Sequence, residues 1–503
     1  MSSGLLAIFQ DIRTFSKFAS GITLRNYQSE VASAIIDSIF SQAGRTIVVI
    51  FPRQSGKNEL QAQVECYLLQ ILHEKDAEMV KASPTWKPQS LNAMRRLERV
   101  LKRNLITKDR WEKESGYIYK IGRARIYFLS GSETANVVGA TANVLLQCDE
   151  AQDISPAKWD KDFAPMAAST NATRVFWGTA WTSRTLLARE RRAAEEAEKE
   201  DGIQRVWIID AEEVAKEVDA YGAYVEEQVN KLGRNHPMVR TQYFSEEIDA
   251  ESGMFPTERL KLMQGDHVEL AEPLTNQLYA MAIDVAGEDE GAVGDEIDAE
   301  SLALLDNPAR DATAATIFNV DLSTLPPDKK GAPTYRVVAR YTQTGTKHSR
   351  LFNQLRELAR FWRVEYIVID STGVGAGLAS FMEKAFPGRV IQFLFTSKSK
   401  SDLGWDYLAV IETGRYKEPV GAKTQFWKQA KHCISQVLPG PGRMMRWGVP
   451  DGTRDQFGAL VHDDELISSA MCAVLDEQEW SISSEPVIVE RIDPLREMDD
   501  EGF

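Results

Sequence analysis

The chain carries five groups of residues whose types and spacing could do chemistry. The first is Phe51-Pro-Arg53-Gln54-Ser55-Gly56-Lys57-Asn58. A Gly-Lys pair between a strand and a helix lets backbone N–H groups and the helix N-terminus cradle phosphates, while the ammonium reaches their outer oxygens. The stretch departs twice from G-x-x-x-x-G-K-[ST]: Phe51 stands where the first glycine belongs, and Asn58 where a hydroxyl would hold magnesium. The second group is Val144-Leu-Leu-Gln-Cys148 leading into Asp149-Glu150. An apolar strand ending in two acids suits metal-assisted phosphoryl transfer, with Asp149 holding Mg2+ and Glu150 orienting or deprotonating the attacking water. Acids also favour a helix N-terminus for its dipole alone, so the Lys57 loop is what tips the reading towards chemistry. Tyr27-Gln28 could offer a ring and an amide to an adenine base, or simply belong to a surface helix. Phe176-Trp-Gly178-Thr179-Ala180 ends a strand in a small, hydroxyl-bearing turn that could sense an outer phosphate, or be an ordinary turn.

The fifth group lies in the C-terminal half. Asp284 and Asp370 each end an apolar strand, and Asp463-Asp464 opens an apolar helix. Carboxylates from separate elements converging on one sheet end would form an all-oxygen site for Mg2+ or Mn2+, of the kind two-metal hydrolases use. Taken singly, Asp463 could be a helix cap and Asp370 a turn cap. Gly373-Val-Gly-Ala-Gly377 has the wrong spacing for a dinucleotide loop, so it reads as a close turn beside the acids. Lys398, Lys400, Arg415, Lys417 and Lys423 could follow a phosphate backbone, or serve only loop solubility.

Positioning these groups requires an α/β fold. Strands are expected at Ile47–Phe51, Ala77–Ala82, Arg125–Leu129, Val144–Cys148 and Arg174–Trp177, with a helix over Asn58–His73 and an exposed, charged one over Thr185–Lys199. That alternation favours a parallel sheet covered by helices. Gly253, Pro256 and Gly265 mark a boundary, after which the pattern resets with strands at Leu278–Val285, Tyr335–Tyr341 and Tyr366–Asp370 and helices at Ser349–Arg363 and Leu466–Leu475. The expected organisation is an N-terminal segment 1–22, a first domain 23–250, a linker 251–274, a second domain 275–480 and an acidic tail 481–503.

The 503 residues, 43% of them hydrophobic, can fill two or three cores, which excludes a disordered or fibrous protein. No apolar run approaches the roughly 20 residues that span a bilayer, so no membrane partner is expected. The four scattered cysteines and the absence of a secretory pattern suit a reducing cytoplasm, without secretion or structural zinc. A net charge of −15 argues against coating nucleic acid by bulk electrostatics but leaves room for a local basic groove. Acidity concentrates in Glu288–Asp306 and Asp476–Glu501.

The order Arg53-Gln54-Ser55-Gly56-Lys57, Asp149-Glu150-Ala151, Gly178-Thr179-Ala180, then Asp284, Asp370 and His462-Asp463-Asp464 resembles the large terminase subunit of tailed bacteriophages over roughly Thr23 to Leu475. The resemblance implies an N-terminal P-loop ATPase domain of the RecA/ASCE type joined to a C-terminal RNase H-like nuclease domain. It further implies ATP and Mg2+ at the first site, and Mg2+ or Mn2+, as two ions, at the second. By that resemblance Gln28 contacts adenine; Arg53, Gln54, Ser55, Gly56, Lys57 and Asn58 form the phosphate loop; Asp149 holds magnesium and Glu150 the water. Thr179 would couple hydrolysis to movement, and Asp284, Asp370 and Asp463 or Asp464 would bind the nuclease metals. Partners implied are double-stranded DNA, a small terminase subunit, a portal protein and further copies of the chain in a pentameric ring, in the host cell cytoplasm. The implied trans-acting arginine is left unidentified, because Val138-Gly139 stands where many relatives carry Arg-Gly. The other readings are a helicase or translocase without cleavage, and a catalytically silent DNA-binding scaffold.

Overall fold

The computed structural model describes residues 8–137, 139–248, 251–286, 312–325, 332–344, 348–421, 425–438, 442–455 and 458–480. The acidic stretch 288–306 and the tail 481–503 lie outside them. The chain forms two compact units. The first comprises Met1–Met263, Phe395–Arg415 and Phe426–Asp463, and the second Gln264–Leu394, Tyr416–Gln425 and Asp464–Phe503. The crossing at Met263/Gln264 falls inside the expected linker, which carries a short strand and a helix, Thr257–Met263.

In the first unit, strands β1 (Thr46–Ile50), β2 (Glu78–Ser83), β3 (Trp111–Glu114), β4 (Ile118–Ile121), β5 (Ala124–Ser130), β6 (Leu145–Cys148), β7 (Thr173–Gly178) and β8 (Val206–Ile208) form one sheet in the order β3-β4-β5-β2-β6-β7-β1-β8. All neighbours from β5 to β8 are parallel, and β3, β4 and β5 form an antiparallel meander. The strand feeding the Lys57 loop (β1) and the strand feeding the two acids (β6) are separated by one strand, β7. Successive residues of β1 point to opposite faces: Ile47, Val49 and Phe51 join one core, Val48 and Ile50 another. Buried on both faces, the strand reads as a continuous apolar run. Helices α1 (Asn26–Phe40) and α2 (Lys57–Ile71) cover the first face, and α3 (Leu186–Asp201), capped by Thr185 as its side chain accepts from Ala188 N–H, covers the second. A three-stranded sheet joins β9 (Glu251–Gly253) to a hairpin of the strands Ile434–Val437 and Met445–Gly448.

In the second unit, β10 (Leu278–Asp284), β11 (Thr313–Asp321), β12 (Thr334–Gln343), β13 (Tyr366–Asp370), β14 (Val390–Phe393) and β15 (Tyr416–Lys417) form a sheet in the order β14-β13-β10-β11-β12-β15. Strands β10, β11 and β12 are an antiparallel meander, and β13 adds parallel to β10 through α4 (His348–Phe361), which packs on the core with Leu351, Leu355 and Ala359. Helix α5 (Gly375–Ala385) follows β13. Back in the first unit, α6 (Ser397–Glu412) packs against the β16 (Ile434–Val437) and β17 (Met445–Gly448) hairpin. Helix α7 (Asp464–Ala470) returns to β10 and β11 of the second unit. No helix among the described residues is long and apolar enough to cross a membrane.

One buried histidine gives the first unit a pH signature. His236 is 1% exposed; its Nδ1 accepts from Met238 N–H and its Nε2 donates to the Trp405 carbonyl. Burial pushes its pKa down to about 4. The unfolded chain therefore binds a proton that the folded one refuses between about 6.5 and 4, so this stability is complete above 6.5 and is lost as pH falls through that window. Wild type should lose roughly 2 kcal/mol between pH 7 and pH 5 that a His236→Asn variant does not lose. Chemical denaturation of both at the two pH values checks this, and equal losses would remove His236 as the cause.

Candidate functional site

The loop after β1 is built for close approach. Gly56, at φ +94°, ends it in the left-handed region, and a Cβ there would lie 2.5 Å from Gln28 Nε2. Gln54 also takes positive φ, at 61°. The loop is pinned from α1: Gln28 Nε2 donates to the Gly56 carbonyl at 3.1 Å, and Arg25 Nη1 and Tyr27 OH each donate to the Ser55 carbonyl at 2.7 Å. Ser55 Oγ closes the turn onto the Pro52 carbonyl, and Arg53 Nη1 donates to Gln242 Oε1 at 3.0 Å. Asn58 is exposed on the first turn of α2. In this chain the Gln28 amide is thus spent on the loop itself.

Lys57 and Glu150 meet across the sheet end, Nζ to Oε1 at 2.9 Å, although 93 residues separate them. Burial opposes ionisation of Glu150, but Lys57, the Gln152 amide and the charge of Arg443 together hold its carboxyl below the usual range. Gln152 Nε2 donates to Glu150 Oε2 at 2.8 Å, while its Oε1 accepts from Thr179 N–H at 3.2 Å, so one amide links the acid to the β7 turn. Asp153, three residues on, is pushed up to about 6 by burial and by the neighbouring Glu150.

Asp149 is 4% exposed and rests on a buried polar chain: its Oδ1 accepts from Gln61 Nε2 at 3.0 Å. Gln61 Oε1 accepts from Lys81 Nζ at 2.6 Å, Lys81 pairs with Glu65 at 2.9 Å, and Gln147 bridges Glu65 to the Trp177 indole. A fully buried carboxylate is costly unless paired, and burial raises Glu65's pKa despite Lys81. This network escapes a motif search, although Gln61 sits four residues after Lys57, on the same helix face. Gln152, Asp153, Arg25 and Arg443 belong to no motif and escape it as well.

In the second unit β10 and β13 are parallel neighbours with Ile283 opposite Ile369, so Asp284 and Asp370 end adjacent strands at the same edge. Asp370 Oδ1 accepts from Thr372 N–H at 2.7 Å, and burial raises its pKa. Asp284 pairs in register with Ala314 of β11, and the Asp464 carboxylate accepts from Ala312 N–H at 3.1 Å, so Asp464 belongs to this edge too. Its helix is fixed by Ser468 to Thr316 at 2.8 Å and by Ser469, which accepts from the buried Arg340 paired with Glu418. Asp463 clusters with the first unit, where it lies 3.9 Å from Lys400 Nζ.

The donors at this edge are all oxygens, which suits a hard divalent cation. Among the described residues, however, no three His, Cys, Asp or Glu side chains stand close enough to hold one. Of the basic residues expected to follow a phosphate backbone, Lys398 pairs with Asp402 at 2.6 Å, Arg415 donates to Thr413, and Lys417 is half-buried. Lys423 lies outside the described residues.

A meander with three parallel additions, carrying acids on the first and fourth strands, is an RNase H-like sheet. Residues 315–437 match the family model of the Terminase RNaseH-like domain, which bears out the terminase resemblance over that segment. The whole chain is similar to the large terminase of bacteriophage HK97 (12% identity over 94% of this chain and 99% of that one, TM-score 0.40). It is also similar to the large terminase of a thermophilic bacteriophage (10% over 89% and 99%, TM-score 0.45). Part of it is similar to the large terminase nuclease of another thermophilic phage, G20c, solved with bound magnesium (14% over 44% and 96%, TM-score 0.31). A search of curated proteins finds no match.

If Gln61 holds Asp149, Gln61→Leu should cost about 1–3 kcal/mol by leaving buried polar groups unsatisfied. A melting curve identical to wild type would detach Gln61 from Asp149.

Proposed function

We propose that this chain is the large subunit of a viral DNA-packaging terminase, a motor that hydrolyses ATP to move double-stranded DNA into a procapsid and cuts that DNA with its second unit. One observation carries the reading: a phosphate loop and an acidic strand end, far apart in sequence, meet at one sheet edge in a chain whose residues 315–437 match a terminase nuclease domain. We assign the ATPase to about residues 23–250 and the nuclease to about 275–480, of which Phe395–Arg415 and Phe426–Asp463 pack with the first unit. The intended partners are a small terminase subunit, a portal and further copies of the chain, as a pentameric ring, in the host cytoplasm.

At the first site the loop amides from Arg53 to Asn58 receive the phosphates. Lys57, now engaged by Glu150, has its ammonium drawn to the incoming oxygens, and Glu150 is released to orient water. Its lowered pKa keeps it ionised, as a base requires at neutral pH. Asp149 would hold magnesium, with the Asn58 amide exposed beside the loop as a second oxygen donor, and that ion would neutralise charge building on the phosphates. Gln28 would give up the Gly56 carbonyl to read the adenine, and loss of the outer phosphate would reach Thr179 through Gln152.

At the second site Asp284, Asp370 and Asp464 would hold Mg2+ or Mn2+, as one or two ions that polarise the phosphodiester and activate water. The raised pKa of Asp370 fits a carboxylate awaiting a cation.

Two assays on one preparation test this reading. Glu150→Ala should lose ATP hydrolysis by at least about a hundredfold and retain nicking of plasmid DNA in Mg2+ or Mn2+. Asp370→Ala should do the reverse. Hydrolysis without any nicking would favour a translocase, and neither activity in folded protein a silent scaffold.

A further inference from the structure

Arg443 is a described cation near the first site that no motif brings there and that comes from a segment far along the chain. It follows β16 in the β16–β17 hairpin, whose base is fixed by the Val437–Met445 pair and by the Leu438 N–H to Met444 carbonyl hydrogen bond at 2.8 Å. Its segment, Phe426–Asp463, belongs to the first unit. The backbone is held in the left-handed region at φ 47°, an unfavourable conformation for a residue with a side chain, and its carbonyl accepts from the Trp405 indole at 3.1 Å. Such a conformation persists where the surroundings over-determine it, and it is a feature of ligand sites.

The guanidinium is directed by what lies under it. Its carbon stands 4.4 Å from the ring centroid of Trp181, the residue after the Gly178-Thr179-Ala180 turn. Asp153, Arg53 and Glu150 are within its electrostatic reach. Its Nη1 is buried and makes no hydrogen bond. A buried donor left unpaired is costly, so a fork carrying one is waiting for an acceptor. Two facts identify that acceptor. Arg443 and Arg53 lie within reach of one another, and two like charges are held together by an anion. Glu150 and Asp153 place Arg443 beside the acid to which the ATP reading gives the attacking water.

We propose that Arg443 is a phosphate-binding residue of the nucleotide site, acting within its own chain: its guanidinium takes the outermost phosphate of a nucleoside triphosphate, and in a diphosphate complex it has no such partner. The proposal rests on the ATP reading above. It makes the β16–β17 hairpin a reporter of nucleotide state, because Trp181 couples the same guanidinium to the turn after β7.

The test measures equilibrium binding of ADP and of a non-hydrolysable ATP analogue to wild type, Arg443→Gln, Arg443→Lys and the double variant Arg443→Gln/Asp153→Asn, with thermal melts of each. Arg443→Gln should weaken the triphosphate about tenfold or more, as loss of a charged hydrogen bond implies, and change ADP by less than about twofold. Arg443→Lys should recover part of the difference, since it keeps the charge and loses the fork. The double variant removes the buried carboxylate that a bare Arg443→Gln would strand, so it folds even if the single variant does not, and it should show the same selective loss. Equal weakening of both nucleotides, or full triphosphate affinity in the double variant, would mean that Arg443 only neutralises Asp153, and would overturn the proposal. A wild type that binds neither nucleotide would instead defeat the ATP reading on which it stands.

Discussion

The ion pair between Lys57 and Glu150 is the constraint from which the first unit can be reconstructed. Two side chains 93 residues apart reach 2.9 Å only if the strands that carry them end on the same edge of one sheet. Strands β1, β7 and β6 are parallel, so the chain must leave each at the same end and return by a crossover, which places every connecting loop that can do chemistry on one side. The apolar character of these strands follows from the helices on both faces. Where Lys57 and Glu150 hold each other, the pair lies in a site that is largely shielded from water.

The same edge is supported from beneath by polar groups in an otherwise apolar interior. Glu65, Lys81, Gln61 and Gln147 are each 2% exposed or less. Replacing such a set with hydrocarbons is often neutral or stabilising in other proteins, while removing one member strands the rest. Its retention here is understandable from its last link, Gln61 to Asp149, where the amide holds the carboxylate at the strand end in one rotamer. The second unit repeats the device with Arg340 and Glu418, whose pairing fixes Ser469 and so the helix that begins at Asp464.

Period and punctuation made much of this legible in sequence. Ile47–Phe51, Val144–Cys148 and Tyr366–Asp370 are apolar runs bounded by loop signals, and they fold as β1, β6 and β13 within a residue or so at each end. Asp149, Asp284 and Asp370 stand at the ends of apolar strands, as their places in the sequence indicate. What escaped was whatever depends on pairing between distant segments. Strand β11 follows a long acidic stretch, and its run Thr313–Asp321 gains its identity only beside β10. The three-stranded sheet joins residues 251–253 to 434–448, which no local pattern announces. Adjacent residues at a helix start point about 100° apart, so Asp463 and Asp464 could not be told apart until the helix was seated by Thr316 and Ser468.

Charge placement reconciles a chain of net charge −15 with a polyanionic ligand. Over distances longer than about 8–10 Å salt screens the field, so the overall sign governs encounter and solubility more than what a pocket holds. Inside the pocket the balance is local. Lys57, Arg53, Arg25 and Arg443 surround the loop end, faced by Asp149, Glu150 and Asp153. The charges there are nearly balanced, each cation matched to a carboxylate, an amide oxygen, a backbone carbonyl or a ring. On the function proposed above, a triphosphate with its magnesium would bring in a net negative charge, which these cations could accept only by leaving those partners. Glu150, Gln152 and the β7 turn are joined by hydrogen bonds, so they would then rearrange together. Ligand binding and conformational change would be one electrostatic event.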